Sequence, residues 1–127
     1  MAWNYRKYNA HKVEIDGRTF DSIKESRRYQ ELKLLEQAGA IHDLQCQVKF
    51  NLIPAQREPD RIGKRGGKIK GKTIEREVNY IADFTYYEGD EFVVEDVKGY
   101  KGGSAYEIFK LKRKMMLYFH QIRIREV

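Results

Sequence analysis

The sequence predicts a single α/β domain, a sandwich in which a central mixed sheet carries helices on its faces. Three observations predict it. A helical run opens at Ser22 and stops at Gly39; two β-rich runs, Glu77 to Tyr87 and Glu91 to Lys98, meet at Glu88, Gly89 and Asp90; and a second helical run leads into a short alternating segment at the end of the chain. At 127 residues the chain suits one core and is too short for two.

Val13 to Ile15, followed by Gly17, reads as a short strand or extended entry. The first helix runs from Ser22 to about Ala38, with Gly39 as its stop. Ile41 to Leu44 and Gln47 to Ile53 read as extended segments, the second closed by Pro54. A polar, glycine-bearing stretch at about 55–76 reads as a flexible basic loop joining two strands. The strands Glu77 to Tyr87 and Glu91 to Lys98 form a hairpin through a tight turn. A loop over Gly99 to Ser104 precedes a second helix from about Ala105 to Phe119, with Ile108, Leu111, Met115 and Phe119 as its apolar stripe. Gln121 to Glu126 alternates Ile122 and Ile124 with Arg123 and Arg125, a final strand that the helical crossover would lay parallel to Glu91–Lys98.

The chemistry is carried by Asp83 on one strand of the hairpin and by Asp96, Val97, Lys98 on the other. Side chains at i and i+2 of a strand share a face, about 6 to 7 Å apart, so Asp96 and Lys98 point the same way. Neighbouring strands lie about 4.8 Å apart, so Asp83 comes within reach of Asp96 if the register aligns them. Two carboxylates can then share one cation. Magnesium takes oxygen ligands, keeps several waters and needs no more than two carboxylates beside substrate phosphate oxygens; manganese is a possible substitute. A lysine beside them can orient water or stabilise the anionic transition state of phosphodiester cleavage. Taken singly, each residue also has an ordinary reading as a strand end, a solvated acid or an edge lysine; the combination is what points to hydrolysis. Of the doublet Glu95, Asp96, only Asp96 has the two-residue spacing to Lys98, and Glu95 should face the opposite side, toward a basic residue of a packed helix. Glu25 has two readings. Ser22 followed three residues later by glutamate is a capping box, whereas the stripe Glu25, Tyr29, Leu32 and Leu35 or Glu36 aims the carboxylate at whatever that helix covers.

With Ala82, Asp83 and then Asp96, Val97, Lys98, the chain resembles the PD-(D/E)XK nuclease superfamily, alanine standing where proline is usual. The phrases Lys7, Tyr8, Asn9 to Phe20, Asp21, Ser22, then Tyr80 to Phe84 and Glu95 to Gly99, are similar to those of small phage and prophage proteins of that superfamily. The resemblance covers about Asp16 to Val127. It implies a restriction-endonuclease-like core, a magnesium-dependent endodeoxyribonuclease, Asp83, Asp96 and Glu25 as metal ligands, Lys98 as the catalytic lysine, and a role in phage or prophage DNA recombination, repair or replication. Branched DNA is a plausible substrate. Resolving a junction would require two active sites and hence a homodimer, whereas nicking would not.

Charge points to the same partner. Arg57, Arg61, Lys64, Arg65, Lys68, Lys70, Lys72 and Arg76 face only Glu58, Asp60 and Glu75 in their segment, a local +5 of the overall +6. Such a segment should bind DNA through its phosphates, with affinity that falls steeply with salt. Its ordinary reading is a solvated, disordered excursion. Lys101, Lys110, Lys112, Arg113 and Lys114 can extend the positive surface. Trp3, Tyr5 and Tyr8, alternating with Arg6, Lys7 and Lys12, stack on bases or, the favoured reading, pack the first strand.

Other classes are disfavoured. No apolar run is long enough to cross a membrane, and the start Met1 to Arg6 has no signal-like segment, so a cytoplasmic protein is expected. The lone Cys46 makes no internal disulfide, and His11, His42 and His120 lack ligand spacing. Neither a nucleophile elbow nor a P-loop is present. The rival reading is a non-catalytic nucleic-acid-binding accessory protein of phage DNA metabolism; a third is an interaction subunit inside a larger nuclease or packaging complex, with phage DNA-metabolism proteins as partners.

Overall fold

Asp16 and Gly17 both adopt positive φ (53° and 75°), closing a two-residue turn between β1 (Val13–Ile15) and β2 (Arg18–Phe20). The Asp-Gly pair is itself a hairpin signal, and it adds a strand that periodicity over three residues did not reveal. The computed structural model describes residues 12–127; the expectation for Trp3, Tyr5 and Tyr8 lies outside the described residues.

Helix α1 (Ile23–Gln37) is capped by Ser22, whose Oγ accepts the Glu25 N–H at 3.1 Å, and is followed by Gly39 at φ 79°. Its inner face presents Glu25, Ser26, Tyr29 and Leu32. Leu35 stays exposed while Glu36 turns back to accept the Leu44 N–H, so the stripe continues through the acid. The two extended segments expected next are one long strand, β3 (His42–Ile53). Asp43 and Gln47 sit in it at φ 58° and 54°.

The stretch at about 55–76, expected as a flexible loop, instead forms a two-stranded arm spanning residues 54–77. β4 (Gln56–Arg57) pairs with β7 (Thr73–Glu75), and further out β5 (Arg61–Ile62) pairs with β6 (Lys68–Ile69). The correction has a local cause. A Cβ on Gly71 would lie 1.7 Å from the Glu58 carbonyl oxygen, so only glycine lets the strands close; Asp60 Oδ1 accepts the Gly71 N–H at 2.8 Å, and the Glu58 N–H reaches the Lys72 carbonyl at 2.9 Å.

β8 (Val78–Glu88) and β9 (Glu91–Asp96) form the expected hairpin through Gly89 and Asp90, and β9 is shorter than Glu91–Lys98. Helix α2 (Gly103–His120) ends on Gln121 at φ 58°, and β10 (Arg125–Glu126) lies parallel to β9, so only the end of Gln121–Glu126 is a strand. The sheet order is β10-β9-β8-β3, mixed and central, with a helix on each face.

Alternation along β9 assigns the faces. Val93 joins the cluster of Phe20, Tyr29, Leu32, Phe84 and Tyr86 under α1, whereas Val94 joins Leu52, Tyr80, Ala82, Phe109 and Met116 under α2. The stripe expected for α2 is thereby corrected. Ile108 and Leu111 are 56 % and 54 % exposed and Phe119 is also exposed, while Phe109 and Met116 are buried; of the expected stripe, half-buried Met115 alone packs against the core. Apolar residues surround much of this helix, so two stripes about 100° apart satisfy the same spacing, and only the fit against Tyr80 and Ala82 selects one. Among the described residues no helix is long and apolar enough to cross a membrane.

Candidate active site

The hairpin register sets the centre. The last β8–β9 pair is Phe84↔Glu95, and one further step places Asp83 opposite Asp96. On β3 and β8 the ladder runs through Cys46↔Phe84 and resumes at Val48↔Ala82, skipping Gln47 and Asp83. Cys46 and Phe84 pack under α1, whereas Ala82 and Tyr80 pack under α2 although their numbers share parity. The side-chain alternation therefore breaks at Gln47 and Asp83, where Gln47 takes a left-handed backbone and its pair with Asp83 is missing from an otherwise unshifted register.

Asp83, Asp96, Lys98 and Glu25 all line one cleft of about 530 Å³, together with Asp21, Gln47, Tyr80, Phe109 and Lys112. Lys98 Nζ stands 2.9 Å from Asp96 Oδ1 and 3.5 Å from the centre of the Phe109 ring, held by charge on one side and a π-face on the other. Tyr80 donates its hydroxyl to Asp96 Oδ2 at 2.5 Å, and burial together with the Asp96 charge pushes the Tyr80 hydroxyl well above the usual phenol range. Asp83 Oδ2 accepts the Val97 N–H at 2.8 Å, and Gln47 Nε2 donates to Glu25 Oε1 at 2.9 Å and reaches Asp83 Oδ1 at 3.5 Å.

Asp83 is the electrostatically frustrated member. Burial first, then the charge of Asp96, pushes its carboxyl up to about 8, with Glu25 adding to the rise and the Val97 N–H opposing it. Glu25 is also raised, by burial and then by Asp21. Ser22 caps the Glu25 N–H, as one half of a capping box would, while the Glu25 carboxylate accepts from Gln47 and lines the cleft. Glu95 lies on the other face, fully buried against Arg28 of α1.

Four carboxylates, those of Asp21, Glu25, Asp83 and Asp96, thus line a cleft whose cations among the described residues are Lys98 and Lys112. Among the described residues no three His, Cys, Asp or Glu are gathered as a ready-made ligand cluster, and internal donors hold the carboxylates of Glu25, Asp83 and Asp96. The donor set still fits magnesium, which takes one or two carboxylates and completes its shell with water and phosphate, and a divalent charge would relieve the repulsion that raises Asp83.

The basic residues separate into groups. Arg57, Arg61, Lys64, Arg65, Lys68, Lys70, Lys72 and Arg76 lie along the arm and do not line the cleft. Lys110 pairs with Glu107 at 2.7 Å and Arg113 with Glu126 at 2.9 Å, and Lys112 is the member of the second set that reaches the cleft; Lys101 and Lys114 are exposed and do not line it. Sequence reasoning missed Gln47, Tyr80 and Phe109 as site residues. Nothing in the local pattern marks them, because Gln47 depends on a strand irregularity and the two aromatics look like ordinary core.

Fold and cleft together define a mixed α/β sandwich with a carboxylate and lysine cleft at a broken strand pairing. The chain belongs to the DUF1064 family, described as a protein of unknown function, whose model matches residues 5–127. No curated protein and no solved structure matches it.

Proposed function

We propose that this protein is a magnesium-dependent DNA endonuclease of the PD-(D/E)XK kind. The observation that carries the reading is the register that sets Asp83 opposite Asp96 with Lys98 on the same cleft. Asp83 and Asp96 would hold the ion, and Glu25 would support it. Bound there, the ion supplies Lewis-acid polarisation of the phosphoryl group and a more acidic water. The chain's own residues do the rest. Asp96 and the Phe109 ring fix the Lys98 ammonium, which orients the attacking water or offsets charge on the phosphorane-like transition state. Gln47 fixes the carboxylates of Glu25 and Asp83, and Lys112 offers a cation to a substrate phosphate at the rim.

The reading extends to DNA as the partner, to branched DNA as a favoured form, to phage or prophage recombination, repair or replication as the setting, and to the bacterial cytoplasm as the compartment. The basic arm supports a polyanionic partner. Paired cleavage of a junction requires two copies of the chain.

Purified protein incubated with supercoiled, linear, single-stranded and four-way-junction DNA, in magnesium, manganese or chelator, tests it. Cleavage only with divalent ion, lost in Asp83→Ala and Lys98→Ala with the fold retained, is expected. Binding without cleavage under every metal condition would leave the non-catalytic accessory reading in its place.

A further inference from the structure

The arm is ordered yet has no core. From Pro54 to Glu77 every residue is exposed except half-buried Gly63 and Gly71. Its order comes from backbone closure: the Gly63 N–H bonds to the Gly67 carbonyl at 2.7 Å, and Asp60 is paired with Lys68 at 3.3 Å as well as with the Gly71 N–H. A structured ribbon that packs against no other part of the chain among the described residues is shaped for an external surface.

We propose that this arm enters the major groove of B-form duplex DNA as a two-stranded β-ribbon. The inference rests on the reading of DNA as partner and specifies which form and which groove the arm takes. Width is the first argument. Strands about 4.8 Å apart with side chains on both faces match a groove about 12 Å wide and overfill the minor groove at about 6 Å. Side-chain layout is the second. In the outer ladder Arg61 pairs with Ile69 and Ile62 with Lys68, so each face of the ribbon carries one cation and one isoleucine. Ile62 is 79 % exposed. Neither face is apolar enough for a protein core, but both suit a groove whose walls are phosphates and whose floor presents thymine methyls and guanine acceptors. Lys64 and Arg65 in the connecting turn complete a cationic tip.

Duplex RNA is the discriminating partner, because its A-form major groove is deep and too narrow for side chains to read. The arm also leaves the sheet at Val78, five residues along β8 from Asp83, so arm and cleft share one strand.

Binding is measured by fluorescence anisotropy in chelator, which separates it from cleavage, on a DNA duplex and an RNA duplex of the same sequence. The wild-type chain is expected to prefer the DNA duplex by about tenfold. Replacing residues 61–70 by an Asn-Gly turn should remove that preference, and K64Q/R65Q/K68Q should do the same should the shortened chain fail to fold. Methylation of guanine N7 should interfere with wild-type binding. Equal affinity for both duplexes, indifference to N7 methylation, or full DNA binding by a folded arm variant would overturn the groove assignment. Absence of metal-dependent cleavage would overturn the endonuclease reading and leave this binding test unaffected.

Discussion

Arg28 of α1 grips Glu95 of β9 with two donors, Nε at 2.5 Å from one carboxylate oxygen and the second guanidinium nitrogen at 3.0 Å from the other. Glu95 is 0 % exposed and also accepts the Tyr86 hydroxyl at 2.6 Å. This clamp fastens the helix that bears Glu25 to the strand that bears Asp96. Burial and the Glu95 bond push the Tyr86 hydroxyl up to about 12. Adjacent acids on one strand therefore serve opposite faces, one closing the fold and one lining the cleft.

Glu95→Ala leaves the half-buried Arg28 guanidinium with Glu31 alone and the buried Tyr86 hydroxyl without its acceptor, and should cost about 1 to 3 kcal/mol by chemical denaturation. Asp96→Asn should cost far less stability, because Lys98 and Tyr80 keep a polar partner, yet abolish metal-dependent cleavage. Comparable losses of cleavage at equal folded fraction in both variants would contradict the division of labour.

Asp83 gives the metal-free protein a pH-dependent weakness. Its carboxyl rises from the ordinary 3.8 to about 8 on folding, so between these values the folded chain holds a proton that the unfolded chain has released. Stability therefore falls as pH rises through that window and levels off above it. In chelator the melting temperature should drop from pH 5 to pH 8, and Asp83→Asn should recover on the order of 2 kcal/mol at pH 8 with little change at pH 5. A wild-type stability that climbs across this range would contradict the site's electrostatics. Magnesium should raise the wild-type melting temperature and leave that of Asp83→Asn nearly unchanged.

Gln47 pays for its position with a left-handed backbone at φ 54°. Gln47→Gly should match or exceed wild-type stability by up to about 1 kcal/mol, while removing the amide that holds Glu25 and Asp83 and slowing cleavage. Gln47→Ala should lose both stability and activity. Denaturation midpoints and single-turnover cleavage rates separate the two contributions.

Gly71→Ala drives a Cβ into the Glu58 carbonyl and should open the arm without unfolding the domain. Amide exchange should accelerate within residues 56–75 while the core strands keep their protection. Global loss of protection would mean that the arm is integral to the core.

Much of the architecture was legible because it is local. The Ser22 cap and Gly39 stop delimit α1, the Glu88–Asp90 turn pairs β8 with β9, and two-residue spacing puts Asp96 and Lys98 on one face while sending Glu95 to the other. These signals act over a few residues, where sterics and hydrogen-bonding chemistry leave little choice. The mixed sheet with helices on its faces followed from their order.

What only the tertiary structure decided depends on residues far apart in the chain. Periodicity could not choose between two apolar stripes on α2, and the packing of Phe109 against Tyr80 chose the one that also cradles Lys98. Nor could the polarity of residues 54–77 reveal an ordered arm, because its closure rests on Gly71 meeting Glu58 across the ribbon. Gln47 entered the cleft through a left-handed turn of the backbone opposite Asp83, a compromise between two neighbouring strands that neither segment encodes alone. The sequence by itself determined the elements and the acid and lysine spacing; long-range packing decided which faces meet, because that choice is made by contact energies summed across the fold.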